Sequence, residues 1–445
     1  MKQFSATVDC PTNKYVISKP KKNVFETIWK ILFVLLLFQT AIANIFKGTV
    51  LESLFNYLDE ITYIALFLVL LYNMCVKRVK FLTIESVILF IYILFLSIGI
   101  VSTLIYHIQP WMSAIVDMIA CSKFIVGYFS IRSICIRNDF ESSELLHSLN
   151  KIARFCAILF FVLTLHELIL SPWFEKGDYR YFTFAIQLFY PHPTWLALSS
   201  ITLISVLSIN LKNTSSNIYF ILMLSFVTAM TLRMKALVFV AIFFIMYLFT
   251  VKIRLKNKVF LLCVCGILGV FLAWDQIQIY FFGASDFSPR SLLLQGGKSI
   301  ADYYFPLGSG FGTYGNQASI MNYSPLYTKL GFNSIWGMSS STDSFFLQDS
   351  FWPVIMAQFG YFGVVLFSVI LVLFFVLIFK IQPINLYMYI TALSLMVYLL
   401  IASTSETAFF NPISLLLFML LGIAIDQCDQ RTLSVPKKKI SKYIR

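Results

Sequence analysis

Long runs of apolar residues, separated by short polar segments, recur along almost the whole chain of 445 residues. A helix that crosses the hydrocarbon core of a bilayer needs about 20 mostly apolar residues. By this criterion the pattern predicts an all-α, polytopic helical bundle with about 12 transmembrane helices. Their predicted positions are 28–46, 58–76, 84–106, 111–131, 152–170, 192–210, 217–232, 235–251, 258–275, 352–379, 384–403 and 409–426.

The composition favours a bilayer environment. Hydrophobic residues make up 59% of the chain and charged residues 12%, with a mean hydropathy of +0.81, whereas soluble domains carry about 25% charged residues. The net charge of +13 comes from basic residues in short segments beside the apolar runs, which is the pattern that sets membrane orientation. We therefore predict no nucleic-acid partner.

Loops rich in Lys and Arg alternate with loops that are poor in them, which places both termini in the cytoplasm. The first 25 residues contain no cleavable signal pattern, so we expect the first span to act as an anchor. The predicted divisions are a basic cytoplasmic tail at 1–27, helices one to nine at 28–275 with an external loop near 171–191, a large external loop at 276–351, helices ten to twelve at 352–426, and a basic tail at 427–445.

The cysteines predict neither a disulfide framework nor a metal site. They lie in spans, inner loops or tails, and none lies in an external loop. Cys263 and Cys265 form a CxC motif inside an apolar span, where Cys serves as a small apolar residue. No metal and no cofactor are predicted.

The large external loop holds a helix signal followed by a glycine-rich run. "SPRSLLLQGGKSIADYYF" begins with a Ser-Pro helix entry and has the apolar spacing of a helix lying on a membrane surface. Gly308, Gly310, Gly312 and Gly315 follow in "FPLGSGFGTYG". A nucleotide fingerprint would need a preceding strand, and none is evident. Either these glycines fold the loop over a substrate, or they only turn the chain.

One turn between two predicted spans breaks the alternation of basic and non-basic loops. "AMTLRMKALVF" puts Arg233 and Lys235 at a tight turn on the predicted external side. If the spans were miscounted, this corner would be cytoplasmic, but the basic segment 252–258 would then lie outside. We interpret the two cations as a site for an anionic headgroup such as a lipid-linked diphosphate, because Arg grips phosphate oxygens with a bidentate fork.

Ionisable residues inside spans are costly and usually face an interior cavity. Asp117 and Lys123 lie six positions apart, a spacing that does not pair them on one helix face. Lys123 is either a site residue or a partner for a carboxylate on another helix. Asp59 and Glu60 are expected to cap the start of a span. His192, which opens another span, is either a general base or a hydrogen-bonded structural residue.

Several motifs in this order resemble the O-antigen polymerase and ligase superfamily, enzymes of the bacterial inner membrane that handle glycans on undecaprenyl diphosphate. The resemblance covers the layout of spans and motifs between about 190 and 363. The matching motifs are "PHPTWLA" with His192, the corner "TLRMKAL" with Arg233, "SPRSLLL" with Arg290 before the glycine run, and "DSFWPVIMAQFGYFG" with its GxxG spacing.

The chain departs from the family at one position. Asp349 and Ser350 stand where His-Asn often stands. Because the ligases use that His as a candidate base, its absence favours a polymerase.

The resemblance implies glycosyl transfer on the periplasmic face, without a sugar nucleotide. The donor is a glycan on undecaprenyl diphosphate, and the acceptor is a hydroxyl of an incoming lipid-linked repeat unit. Arg233 and Arg290 are expected to stabilise the departing diphosphate, and Asp349 is either the base or a helix cap. A second set is expected to bind substrate: Lys235, Arg180, His192, Gly308, Gly310 and Gly312.

Alternatives from other classes stay open at this stage. About twelve spans with both ends inside also suit a lipid-linked oligosaccharide flippase, although the lopsided external loop is unlike the repeated halves of transporters. An O-antigen ligase is the alternative within the family, and a purely structural membrane protein is the remaining one. The expected partners are the lipid-linked oligosaccharide, membrane lipid and a chain-length regulator protein, which usually accompanies the family.

Overall fold

The structure is a computed structural model that describes residues 24–137, 142–170, 172–180, 183–211, 214–250, 288–340, 345–381 and 384–434. Its α-helices are α1 (Val24–Ile45), α2 (Val50–Asn56), α3 (Leu58–Cys75), α4 (Thr83–Tyr106), α5 (Trp111–Ile136), α6 (Ser142–Ile169), α7 (Pro193–Ile209), α8 (Asn217–Met230) and α9 (Met234–Thr250). They continue with α10 (Pro289–Tyr303), α11 (Gln317–Met321), α12 (Pro325–Lys329), α13 (Trp352–Ile381), α14 (Leu386–Ala402) and α15 (Pro412–Ser434). Strands β1 (Tyr179–Arg180) and β2 (Thr183–Phe184) form a small antiparallel hairpin.

The prediction of a helical membrane protein is confirmed. Among the described residues, six helices are long and apolar enough to cross a membrane, namely Glu26–Ile45, Leu58–Cys75, Thr83–Tyr106, Trp111–Ile136, Leu146–Ile169 and Trp352–Ile381. Five shorter apolar helices coincide with other predicted spans. The predicted span 258–275 lies outside the described residues, so twelve spans stays a prediction. The last helix continues to Ser434, so the predicted boundary between 426 and 427 falls inside it.

Helix α5 is buried along most of its length and packs most closely against α15. Small residues let the two backbones approach, as is common between membrane helices. A Cβ added at Gly127 would lie 2.6 Å from the Leu415 carbonyl oxygen, and one at Gly422 would lie 2.5 Å from Ile131 Cγ2. The two glycines therefore fix how closely these helices pack.

The C-terminal half of α5 carries a buried charge network. Arg132 Nε lies 2.6 Å from Glu85 Oε1 on α4, and Arg132 Nη1 lies 2.7 Å from Asp426 Oδ1 on α15. The Tyr128 hydroxyl also donates to Glu85 Oε1, at 2.6 Å. The span predicted at 111–131 would leave Arg132 in the loop that follows it, on the inner side of the membrane. The loop assignment is wrong, because α5 continues to Ile136 and buries Arg132, and the inner side stays a prediction.

A second network resolves the alternatives left open for Lys123. Its ammonium pairs with Asp59 and lies 2.7 Å from Glu60 Oε1, both on α3. Gln39 of α1 also donates to Asp59, at 2.6 Å. Lys123 is thus a partner for carboxylates on another helix. The prediction that Asp59 caps the start of its helix is wrong, because its side chain is fully buried and pairs with Lys123.

The segment 288–340 folds onto the bundle instead of forming an open loop. Its helix α10, predicted from "SPRSLLL", is present and packs against α13. Ser288 caps α10 by accepting from the Ser291 amide. A second apolar core forms beneath it, including Leu293, Tyr314 and Tyr327. The N-terminal end of α10 is thereby held in place relative to the membrane helices.

Contacts bring segments predicted to be external to one end of the bundle. Asn44 Nδ2 donates to the Phe189 carbonyl at 3.2 Å, which joins the end of α1 to the segment after the hairpin. Gln109 Nε2 donates to the Asn322 carbonyl at 2.9 Å, which joins the α4–α5 turn to the end of α11. We call this the loop end of the bundle.

Cysteine labelling tests the orientation of that end. Met234→Cys should react with a membrane-impermeant maleimide added outside intact cells, because the α8–α9 turn is predicted to be external. Ser215→Cys, in the exposed α7–α8 turn, should react only after the membrane is opened, with the parent chain as the blank. Protection of Met234→Cys in intact cells, with labelling after permeabilisation, would invert the topology.

Candidate functional site

Six of the predicted site residues meet at the loop end, although they come from five separate segments. Arg180 lies in the hairpin, His192 precedes α7, Arg233 and Lys235 flank the start of α9, Arg290 lies in the first turn of α10, and Asp349 follows a 3-10 turn before α13. Direct contacts or charge interactions connect them, as set out below. We call this set, together with Asp178 and Glu406, the charged cluster.

Arg233 lies at the centre of the cluster. Its carbonyl accepts the first amide hydrogen bonds of α9, so the helix start fixes its backbone. Its Nη2 lies 3.3 Å from Asp178 Oδ2 and 2.9 Å from His192 Nε2. The residue is only 9% exposed, and its Nε is buried without a hydrogen-bond partner among the described residues. Part of its hydrogen-bonding capacity is therefore unused.

The loop that carries Asp178 is tied to the corner that carries Arg233. The Ile186 amide donates to the Met230 carbonyl at 3.0 Å. Arg180 Nη2 lies 3.4 Å from the same Asp178 oxygen that contacts Arg233. One carboxylate thus holds two guanidinium groups near each other, which brings positive charge together in a small volume.

His192 is neutral in this setting. Burial of the ring and the positive charge of Arg233 lower the pKa of His192 to about 4. Because a guanidinium can only donate, His192 Nε2 accepts from Arg233. That nitrogen is therefore engaged, and the geometry favours a role in positioning Arg233 over a role as general base.

The Asp349 carboxylate lies beside Arg290 and has a raised pKa. Arg290 Nη2 lies 3.8 Å from Asp349 Oδ2. Burial raises the pKa of Asp349 above its usual value, and the charges of Arg290 and Lys235 offset only part of that rise. The carboxylate thus has a side-chain partner in Arg290. The contact with Arg290 therefore distinguishes Asp349 from a simple helix cap.

Two members of the cluster were not singled out from the sequence. Asp178 lies two positions before Arg180 in "EKGDYRY", and Glu406 lies in the α14–α15 turn. Lys235 Nζ is 2.5 Å from Glu406 Oε2. Charge complementarity could have identified both residues from the sequence, because each carboxylate lies in a loop that is predicted to be on the same side of the membrane as the cations.

The three predicted glycines lie in a different environment. Gly308, Gly310 and Gly312 are buried with positive φ. A Cβ at Gly308 would lie 2.5 Å from the Gly360 amide nitrogen, and one at Gly310 would lie 2.6 Å from Thr103 Oγ1. The glycines therefore pack against protein, which argues against their predicted role in binding substrate.

A carboxylate on α5 anchors the same glycine run. The Gly312 amide donates to Asp117 Oδ2 at 2.7 Å, and Asp117 is fully buried. The Thr103 hydroxyl accepts from the Phe311 amide at 2.9 Å. Of the two interpretations left open, the geometry supports a run that turns the chain and packs it against α4, α5 and α13.

Helix α13 is shaped to receive this run. Gly360 has φ 63° and ψ −170°, which interrupts the helix. The Ser309 and Gly310 amides donate to the carbonyls of Ala357 and Gln358, at 2.8 Å and 2.9 Å, just before the break. A side chain at Gly360 would collide with the Pro306 carbonyl oxygen. The GxxG spacing that carried part of the resemblance thus has a packing role at its first glycine.

The chemistry available to the charged cluster is anion binding with a nearby base. It brings together four cations, three carboxylates and a neutral imidazole. Among the described residues, no group of three or more His, Cys, Asp or Glu side chains could hold a metal ion. The planar guanidinium of an arginine binds two phosphate oxygens through parallel hydrogen bonds, and the buried position of Arg233 strengthens such contacts because water competes less.

No protein-family model matches the chain, and no curated protein matches it. The family resemblance stays a prediction that rests on the quoted motifs.

Proposed function

We propose that the protein is a polysaccharide polymerase of the bacterial inner membrane, with twelve spans and both termini in the cytoplasm. It transfers a growing glycan from undecaprenyl diphosphate to a hydroxyl of an incoming lipid-linked repeat unit on the periplasmic face. The observation that carries the proposal is the convergence of Arg180, Arg233, Lys235 and Arg290 around one end of a membrane bundle, with Asp349 beside them.

The reaction follows from these charges. The acceptor hydroxyl oxygen forms a bond to the anomeric carbon of the donor glycan, and the bond from that carbon to the diphosphate oxygen breaks. The electron pair leaves with the diphosphate, whose growing negative charge Arg233 and Arg290 stabilise. The hydroxyl proton passes to the Asp349 carboxylate. Lys235 and Arg180 add positive charge around the leaving group, and no metal is needed for the charge balance.

The carboxylate partners set the resting state of the site. Asp178, Glu406 and Asp349 neutralise most of the cationic charge before substrate arrives. A diphosphate carries more negative charge than a single carboxylate, so it competes for the same guanidinium groups. Displacement of Asp349 from Arg290 by the diphosphate would free the carboxylate to accept a proton.

Deletion of the gene separates this function from its alternatives. A polymerase mutant should display a single repeat unit on the lipid core. A bare core with accumulated outward-facing lipid-linked polymer would indicate a ligase. A bare core without that polymer would indicate a flippase, and unchanged surface glycan would indicate a structural protein.

The pH dependence of polymerisation should reveal Asp349 as the base. A base acts only when it is deprotonated, so the rate should fall as pH drops through the raised pKa of Asp349. Asp349→Asn should lower the rate by about 100-fold or more and remove that acidic limb. The measurement is conversion of lipid-linked repeat units by protein in nanodiscs across pH.

The matched control for this prediction is Asp302→Asn. Asp302 is another carboxylate of the loop end, and it accepts from the Tyr361 hydroxyl at 2.6 Å outside the charged cluster. An Asp349→Asn protein that keeps the parent rate and the parent pH profile would remove Asp349 from the mechanism.

A further inference from the structure

A concave pocket lies at the far end of α10 from Arg290. It has a volume of about 260 Å³ and is lined by Ser299, Ile300, Tyr303, Tyr304, Leu326, Lys329 and Leu330. Its walls are mostly apolar, with a few polar groups at the rim. Small-molecule sites typically have that character, and the volume lies just below their usual range of about 300–1,000 Å³.

Two tyrosine rings form one wall of the pocket, of which Tyr303 is exposed and Tyr304 is buried. Tyr303 is 79% exposed, and its ring packs edge-on against Tyr304 with centroids 4.8 Å apart. The ring of Tyr106, on α4, also packs edge-on against Tyr304, with centroids 4.7 Å apart. Tyr304 is therefore packed between two neighbouring rings, while most of the surface of Tyr303 stays accessible.

Lys329 supplies the polar side of the pocket. It ends α12 and is exposed, and it forms no ion pair with another described residue. An ammonium group with three donors next to an exposed tyrosine ring matches the two kinds of surface of a sugar. The apolar C–H face of a sugar ring stacks on an aromatic ring, and its hydroxyl or carboxylate oxygens accept hydrogen bonds.

Helix α10 sets the distance from this pocket to the charged cluster. Tyr303 lies thirteen positions after Arg290 on the same helix. At a rise of about 1.5 Å per residue, the two ends are about 20 Å apart. A chain of a few sugars spans that distance, so a glycan whose reacting end lies at Arg290 can reach Tyr303.

We infer that the pocket formed by Tyr303, Tyr304 and Lys329 is a glycan-binding subsite that holds a sugar a few residues away from the reacting end. This inference rests on the proposed function and adds a second point of attachment for the substrate. Two attachment points raise the effective concentration of the glycan at the cluster. Retention between transfers then favours long products.

The test combines a binding measurement with product length. The probe is the repeat-unit oligosaccharide released from its lipid carrier in the host strain, titrated against the full chain in nanodiscs. Tyr303→Ala and Lys329→Met should each weaken its binding about tenfold. In cells, each variant should shift the glycan length distribution to shorter products while single transfers continue.

The controls are Tyr57→Ala and Lys47→Met, which remove an exposed tyrosine and an exposed lysine elsewhere at the loop end. Both should leave binding and product length unchanged. If Tyr57→Ala reproduces the Tyr303→Ala effects, the rings serve the membrane interface and the subsite is overturned. Unchanged binding in Tyr303→Ala and Lys329→Met, or no binding by the parent chain, also overturns it.

The binding measurement keeps the two proposals separate. A parent chain that polymerises normally, with variants that bind and polymerise normally, refutes the subsite and leaves the polymerase intact. The opposite combination is also informative. If the parent chain binds the oligosaccharide and Tyr303→Ala weakens that binding, the subsite is supported. If the deletion mutant nevertheless still makes polymer, the polymerase is refuted.

Discussion

Arg290→Ala should abolish long-chain glycan while the protein remains in the membrane. The side chain of Arg290 is 30% exposed, so its removal leaves no cavity in the core. What the substitution removes is positive charge at the proposed diphosphate site. Loss of one preorganised donor to developing negative charge costs about 100- to 1,000-fold in rate. The measurement is glycan length on gels, with membrane abundance of the protein followed by immunoblot.

Two variants make this result specific. Arg290→Lys keeps the charge but loses the bidentate fork, so it should recover only part of the activity. Arg78→Ala removes an exposed arginine from the α3–α4 turn, which is predicted to be cytoplasmic, and should behave like the parent. Long glycan at parental levels in Arg290→Ala would show that the diphosphate role assigned to this residue is wrong.

The convergence of the cluster could be anticipated from the predicted topology. Arg233 and Lys235 lie at the junction of two apolar runs, Arg290 lies at the start of α10, and Arg180 lies in the loop between two predicted spans. The predicted alternation of spans assigns all four cations to the same side. Arg233 and Lys235 were informative because they broke the charge rule. In the structure, Arg233 is buried and its Nε has no hydrogen-bond partner among the described residues. The residue that departs from the charge pattern is thus also the one with unused hydrogen-bonding capacity.

The glycine run was not predictable, because its partners are distant in sequence. Gly312 donates to Asp117, almost two hundred positions earlier, and Gly308 packs against Gly360. Glycine spacing signals close approach by another group, but a helix backbone and a ligand give the same signal. Only the structure distinguishes between them.

Buried charges were the other weak point of sequence reasoning. The apolar pattern located α5, yet its end was placed five residues early because Arg132 looked like a loop cation. Likewise, Asp59 and Glu60 were assigned to a helix start without a partner. In both cases the deciding contact comes from another helix, and spacing along one helix carries no information about it.

Arg132→Ala should strongly destabilise the bundle without changing the charged cluster. Arg132 is 1% exposed and lies between Glu85 and Asp426, so its removal leaves two buried carboxylates without their guanidinium. Breaking a buried ion pair by removing one partner costs about 3–5 kcal/mol. The measurement is the thermal unfolding midpoint of the purified protein in nanodiscs, together with its abundance in membranes.

The matched control for this prediction is Lys30→Ala, which breaks the pair between Lys30 and Glu26 on α1. That pair is partly exposed, and pairs four positions apart on a helix surface contribute only about 0.3–0.5 kcal/mol. The triple variant Arg132→Met, Glu85→Gln, Asp426→Leu should recover much of the stability, because the cost comes from the unpaired charges rather than from the lost contact. Equal midpoints for Arg132→Ala and Lys30→Ala would mean that water reaches Glu85 and Asp426, and that α5 is not the buried centre of the bundle.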